Sequence, residues 1–258
     1  MTMYKLIFFA LIQSLLMFSQ KVEVNLEQTI INDGDFIGID KFEDVYALKN
    51  NVLTKTSKAQ TWMFKDFNLG EIYTVDLTNP LQILVFYKDL QTIVVLDNQL
   101  NEVRRVVIDA GNNYFIKDIG LSIQNKIWLF DEKFQRFGLY DMQNNTWHFF
   151  PYVVKLAPVK IFTNYNQMIW QDEKNEVYEI NIFGQVNKIC NLETNHRLLG
   201  ADDFFVLFNE NEKCFAMERK GLKIHQLKIL EEKYDKVVYK NQKLFIFTHP
   251  NILIYLIK

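Results

Sequence analysis

Residues 81–107 read LQILVFYKDLQTIVVLDNQLNEVRRVV. Two apolar runs, ILVF at 83–86 and TIVVL at 92–96, are followed by a more polar third run ending in RRVV. Each run has the length of a strand, and tight polar links join them. An antiparallel sheet with one wet face alternates apolar and polar residues, whereas unbroken apolar runs mean burial on both faces. No helical 3.6-residue periodicity lies between the runs, so helices are not what covers them. Another sheet on each side is the remaining solution.

The same grammar recurs to the end of the chain. Second strands are expected at VYAL (45–48), ILVF (83–86), IWLF (127–130), MIW (168–170), FVLF (205–208) and LFIF (244–247). Their starts are 37 to 44 residues apart, a spacing of the kind that marks propeller blades. A third strand follows each one. Four of the first five third strands end on an acid or its amide: Asp97, Asp141, Asn181 and Glu218. The turns beyond them carry Asn144-Asn145, Gly184 and Gly221, residues that tolerate positive φ. The units run over residues 35–66, 71–109, 114–152, 157–192, 196–230 and 234–258. The last has room for only three strands. A spare strand at 21–30, with Val22, Val24 and Leu26 on one face, can complete it. The expected fold is all-β: a six-bladed β-propeller of four-stranded antiparallel blades, its last blade closed by the N-terminal strand, forming one domain over residues 21–258. Closure removes the open edges of the sheet array.

Residues 1–20 differ from the rest. Lys5 precedes an apolar stretch, 6–18, interrupted only by Gln13 and Ser14. Thirteen helical residues rise about 20 Å, short of a hydrocarbon core of about 30 Å. This predicts a secretory signal peptide cut near Ser19, with no lipidation cysteine beside it. No later run is long enough to cross a membrane as a helix. Apolar residues make up 49% of the chain, and 22 Phe and 12 Tyr provide core bulk. The net charge of −2 offers no basic stripe for nucleic acid. Cys190 and Cys214 could pair in an oxidising compartment; two buried free thiols in strands is the favoured reading.

The segments TIVVLDNQLNEV and RFGLYDMQNNTW resemble the strand–turn–strand of six-bladed propellers of the NHL and TolB-like kind, including uncharacterised propellers of bacterial envelopes. The resemblance spans the whole chain after residue 20 and is one of architecture. It implies the propeller fold and an envelope setting, and it transfers no functional residue. The GH and WD dipeptides of WD40 blades and the tryptophan-docking signature of quinoprotein blades are absent.

Catalytic signatures are equally absent. No GxSxG elbow or Gly-rich phosphate loop occurs. The four histidines are spread over three units, at unequal strand positions and without metal-ligand spacing. Adjacent acids such as Asp131-Glu132 and Asp172-Glu173 would point to opposite faces of a strand rather than converge, and they read as solvated link residues. The stretch Asn32-Asp33-Gly34-Asp35 lacks the rest of a calcium loop. The suggestive residues are aromatics and histidines in links that a propeller gathers on one face: Phe67, Tyr114, Phe134, Tyr152, His196 and His249. They are the expected contact residues for a protein partner in the envelope. No metal, cofactor or nucleic acid is expected, and a monomer is favoured. The expected function is an exported, non-enzymatic binding or scaffold propeller. The alternative is a lactonase-like hydrolase, or a carbohydrate-binding module, using the central channel.

Overall fold

The computed structural model describes residues 24–31, 34–108, 111, 113–210, 213–229, 234, 236–240, 242–248 and 250–257. The expected signal peptide and His249 lie outside these residues. The described residues form 24 strands in six four-stranded antiparallel sheets. Blade one is β2 (Asp35–Ile39), β3 (Val45–Lys49), β4 (Val52–Thr56) and β5 (Thr61–Phe64). Blade two is β6 (Thr74–Asp76), β7 (Ile83–Tyr87), β8 (Thr92–Leu96) and β9 (Glu102–Val107). Blade three is β10 (Ile116–Leu121), β11 (Lys126–Asp131), β12 (Arg136–Asp141) and β13 (Thr146–Val153). Blade four is β14 (Pro158–Thr163), β15 (Gln167–Asp172), β16 (Glu176–Asn181) and β17 (Val186–Asn191). Blade five is β18 (Arg197–Ala201), β19 (Phe205–Glu210), β20 (Lys213–Glu218) and β21 (Ile224–Gln226). Blade six is β22 (Lys236–Lys240), β23 (Lys243–Thr248) and β24 (Asn251–Ile257), completed by β1 (Val24–Ile31).

The double burial read from the apolar runs is present. Every residue of β7 and β8 is buried, while the outermost strands such as β9 are mostly exposed. Six apolar clusters fill the six seams between blades. Trp128 and Trp170 anchor the seam between blades three and four. Each buries area worth several kcal/mol at ~25 cal/mol per Å². Cys190 and Cys214 are buried free thiols in β17 and β20. Burial pushes both up to about 11.

Three of the four acids and amides ending the third strands cap their turns, while Glu218 meets His225 Nε2 at 2.6 Å instead. Asp97 accepts hydrogen bonds from the amides of Gln99 and Asn101, and Asp141 from those of Gln143 and Asn144. Asn181 does the same for Phe183 and Gln185. Amide side chains also staple blade to blade. Gln91 donates to the Ile116 carbonyl and accepts from its N–H. Gln171 links to His196 and Leu198 in the same way. Near the axis the inner strands approach so closely that a Cβ on Gly120 would overlap the Thr163 side chain.

Closure by β1 occurs as expected, with Val24 opposite Ile257 and Ile31 opposite Asn251. The expected single apolar face does not run through. A register shift between Leu26 and Gln28 leaves Leu26 42% exposed, while Val24 and Ile30 reach the core.

Candidate functional site

Antiparallel order within each blade sends the blade-to-blade links, and those between second and third strands, to one end of the ring. We call this the upper face. On it, blades two and three build a surface of alternating rings and cations. Tyr73 and Phe115 are 47% and 38% exposed. Lys88 Nζ stands 4.9 Å from the Tyr73 ring centre and 5.7 Å from that of Phe115. Arg136 Cζ lies 4.7 Å from Phe134, 4.1 Å from Phe149 and 5.5 Å from Tyr114. Cation–π contacts of this kind fix both partners, at about 0.5–1 kcal/mol each when exposed. Asp131, fully buried, holds Arg136 at 3.1 Å and accepts from the amides of Phe115 and Lys133. Glu132 reaches Lys117 at 3.2 Å and Lys88 at 3.9 Å. The acid pair at 131–132 is therefore split: one carboxylate braces the blade, and the other ties surface lysines.

The candidates from the sequence fall into different environments. Phe67 opens a short 3-10 turn, Phe67–Leu69, between blades one and two; it is 64% exposed, with Lys65 Nζ 5.4 Å from its ring. Phe134 is 41% exposed in the β11–β12 link. Tyr114 is half-buried, packed on Phe149 at 4.7 Å and on Trp147 at 6.1 Å. Tyr152 belongs to β13 and packs half-buried against Trp170. His196 is buried, stacked 4.5 Å from Phe208. Tyr73, Phe115 and Lys88 complete the surface and were missed. Their signal was present as aromatics just before β6 and β10 and a lysine just after β7.

The inner strands of all six blades line an axial cavity of about 510 Å³. Four carboxylates reach its wall: Asp40, Asp76, Asp118 and Asp202. Asp40 accepts from the Tyr46 hydroxyl and from the amides of Phe42 and Asp44. Asp76 accepts from the Thr78 and Leu121 amides and the Thr163 hydroxyl. Asp202 accepts from the amides of Phe204 and Phe205 and from the Tyr239 hydroxyl. Asp118 sits beside a bulge in β10 that re-aims its side chain. Burial raises its pKa to about 6, against the opposing charges of Lys117, Lys88 and Lys160. The opposite, lower face exposes Phe42, Leu81, Tyr165 and Phe204 in links nearest the axis. Among the described residues, no group of three or more His, Cys, Asp or Glu side chains is placed to hold a metal ion. No helix among them is long and apolar enough to cross a membrane.

No known family profile matches the chain, and no curated protein matches it in sequence. Solved structures do match. Virginiamycin B lyase from Staphylococcus aureus aligns with a TM-score of 0.60 and 13% identity, over 85% of this chain and 78% of that one. A duf4221 family member from Bacteroides vulgatus gives 0.56 and 8%, over 92% and 98%. The extracellular domain of a one component system from B. thetaiotaomicron gives 0.56 and 10%, over 86% of this chain and 33% of that one. The likeness is one of fold. The proteins that share it include both an enzyme and an extracellular domain.

Proposed function

We propose that this chain is an exported, non-enzymatic propeller of the bacterial cell envelope that binds a protein partner through its upper face. The observation that carries the reading is the surface on blades one to three. There Phe67, Tyr73, Phe115 and Phe134 stand exposed beside Lys65, Lys88 and Arg136. Aromatics and arginine dominate the energetic centres of protein interfaces. Rings already clamped by cations on a rigid ring lose little conformational entropy when a partner docks. Export is supported by the charge and apolar pattern of residues 1–20, and by the extracellular domain among the fold neighbours.

The test uses the purified chain as bait on native envelope extract, beside a variant carrying Phe67→Ala, Phe115→Ala and Phe134→Ala. Tyr152 is left intact because it packs on Trp170. The expected outcome is loss of one reproducible partner, cross-linked to the native bait only, with an unchanged circular dichroism spectrum. Equal capture by both baits overturns the upper-face reading. A second reading, chemistry in the axial cavity, has one observation in its favour: Asp118, a carboxyl that titrates near 6. Turnover of a lactone or glycoside substrate that Asp118→Asn abolishes would establish it instead.

A further inference from the structure

The upper face has a second concavity, where blades four and five meet. Its volume is about 680 Å³, within the range of about 300–1,000 Å³ for small-molecule sites. Two cations line it, and no acid does. Lys160 comes from β14 and Arg197 from the first position of β18. Both are exposed, and neither side chain makes an ion pair or hydrogen bond among the described residues. Asp118 feels the charge of Lys160 only from beyond ion-pair distance. The contrast with Arg105, Arg136 and Arg219 is plain, because each of those rests on a carboxylate within 3.1 Å.

The rest of the wall is polar and braced, with Glu210 Oε2 3.6 Å from His196 Nε2. Gln171 is fully engaged: its Nε2 donates to the His196 carbonyl and to Asn175 Oδ1, and its Oε1 accepts from the Leu198 amide. His196 Nδ1 accepts from the Glu193 amide, which fixes a ring already stacked on Phe208. Asn209 also lines the cavity. Its Nδ2 donates to the Tyr234 hydroxyl, while its Oδ1 is buried without a hydrogen-bond partner. A buried acceptor left open costs about 1–3 kcal/mol unless something donates to it.

We propose that this cavity binds a small hydroxylated carboxylate. The Arg197 fork and the Lys160 point charge take the carboxylate. The amides of Asn175 and Asn209 take the hydroxyls. A neutral polyol leaves the two charges unused, and a bare anion leaves the amides unused.

Titration calorimetry on the purified chain tests this with three probes: sodium D-glucuronate, D-glucose and inorganic phosphate. Glucuronate is expected to bind at least about tenfold more tightly than the other two, the factor set by about 1.4 kcal/mol. Affinity should fall as salt is raised. Arg197→Gln and Lys160→Gln should each weaken glucuronate about tenfold with unchanged thermal unfolding. If one of the variants fails to fold, the probe ranking and salt dependence of the native chain still decide. Absence of glucuronate binding at millimolar concentration overturns the proposal. So does equal binding of glucose or phosphate, or glucuronate binding that both folded variants retain in full. Loss of the envelope partner is a separate readout at blades one to three of the same face, so either reading can fail without the other.

Discussion

Asp118 is a carboxylate whose surroundings work against its charge. Its carboxyl lies in the wall of the axial cavity, and burial lifts it from an ordinary 3.8 to about 6. Between those two values the folded chain holds a proton that the unfolded chain releases. Stability from this group is therefore complete below about pH 4 and is lost as pH rises through about 6. At 1.36 kcal/mol per pH unit the loss is at most about 3 kcal/mol, and less where water reaches the carboxyl. Asp118→Asn should raise the melting temperature by several degrees at pH 7.5 and change it little at pH 4. A gain of the same size at both pH values would exclude titration as the cause. The hydrogen-bonded acids beside it behave otherwise. Asp40 and Asp202 close the first turns of their blades by accepting from the amides two residues on, those of Phe42 and Phe204.

The strand with most consequence for closure is β1. Its own burial is slight, since only Val24 and Ile30 are partly covered. Its partner β24 reads NILIYLI, and five of its seven residues are buried. Deleting residues 21–31 therefore removes little core but opens a long apolar edge, a template for pairing with another chain. The expected result is concentration-dependent association in light scattering, with a fall in melting temperature of roughly 4–8 °C, as about 2 kcal/mol produces in a domain of this size. From β23, Lys243 Nζ reaches past β24 to Glu27 Oε2 at 2.8 Å; this exposed pair adds little to the strand's hold. A truncated chain that stays monomeric and melts unchanged would remove β1 from the closure.

Across the whole ring, stability is uneven because the seams differ in size. Among the described residues, thirteen buried apolar side chains fill the seam between blades two and three. Five fill the seam between blades six and one: Phe36, Phe245, Phe247, Ile252 and Ile254. Local opening follows the least apolar burial. Hydrogen exchange should therefore be fastest, strand for strand among the inner three of each blade, in β2 and β22–β24. It should be slowest in β7, β8 and β11. Uniform protection around the ring would mean that it opens all at once rather than at the seam where the chain ends meet.

Much of this molecule is legible in the order of its residues. Runs such as 83–86 and 92–96 require burial on both faces, and their spacing requires repetition. A three-stranded last unit requires a strand from elsewhere. These are local rules of pattern and hydrogen bonding, so they survive without coordinates. The caps at Asp97, Asp141 and Asn181 were visible for the same reason, since a side chain that bonds amides two to four residues on is a short-range device. What only the tertiary structure decided is the fate of side chains in links. Phe67 and Phe134 point outward, while His196 and Tyr152 turn onto Phe208 and Trp170. Nothing in the neighbouring residues distinguishes them, because the ring that covers each one belongs to a strand 12 or 18 positions away. The bulge that displaces Leu26, the raised Asp118 and the shared cavity of Lys160 and Arg197 arise likewise between strands distant in the chain. A charge, an edge or a cavity is a property of what surrounds it, and the surroundings exist only once the blades have closed.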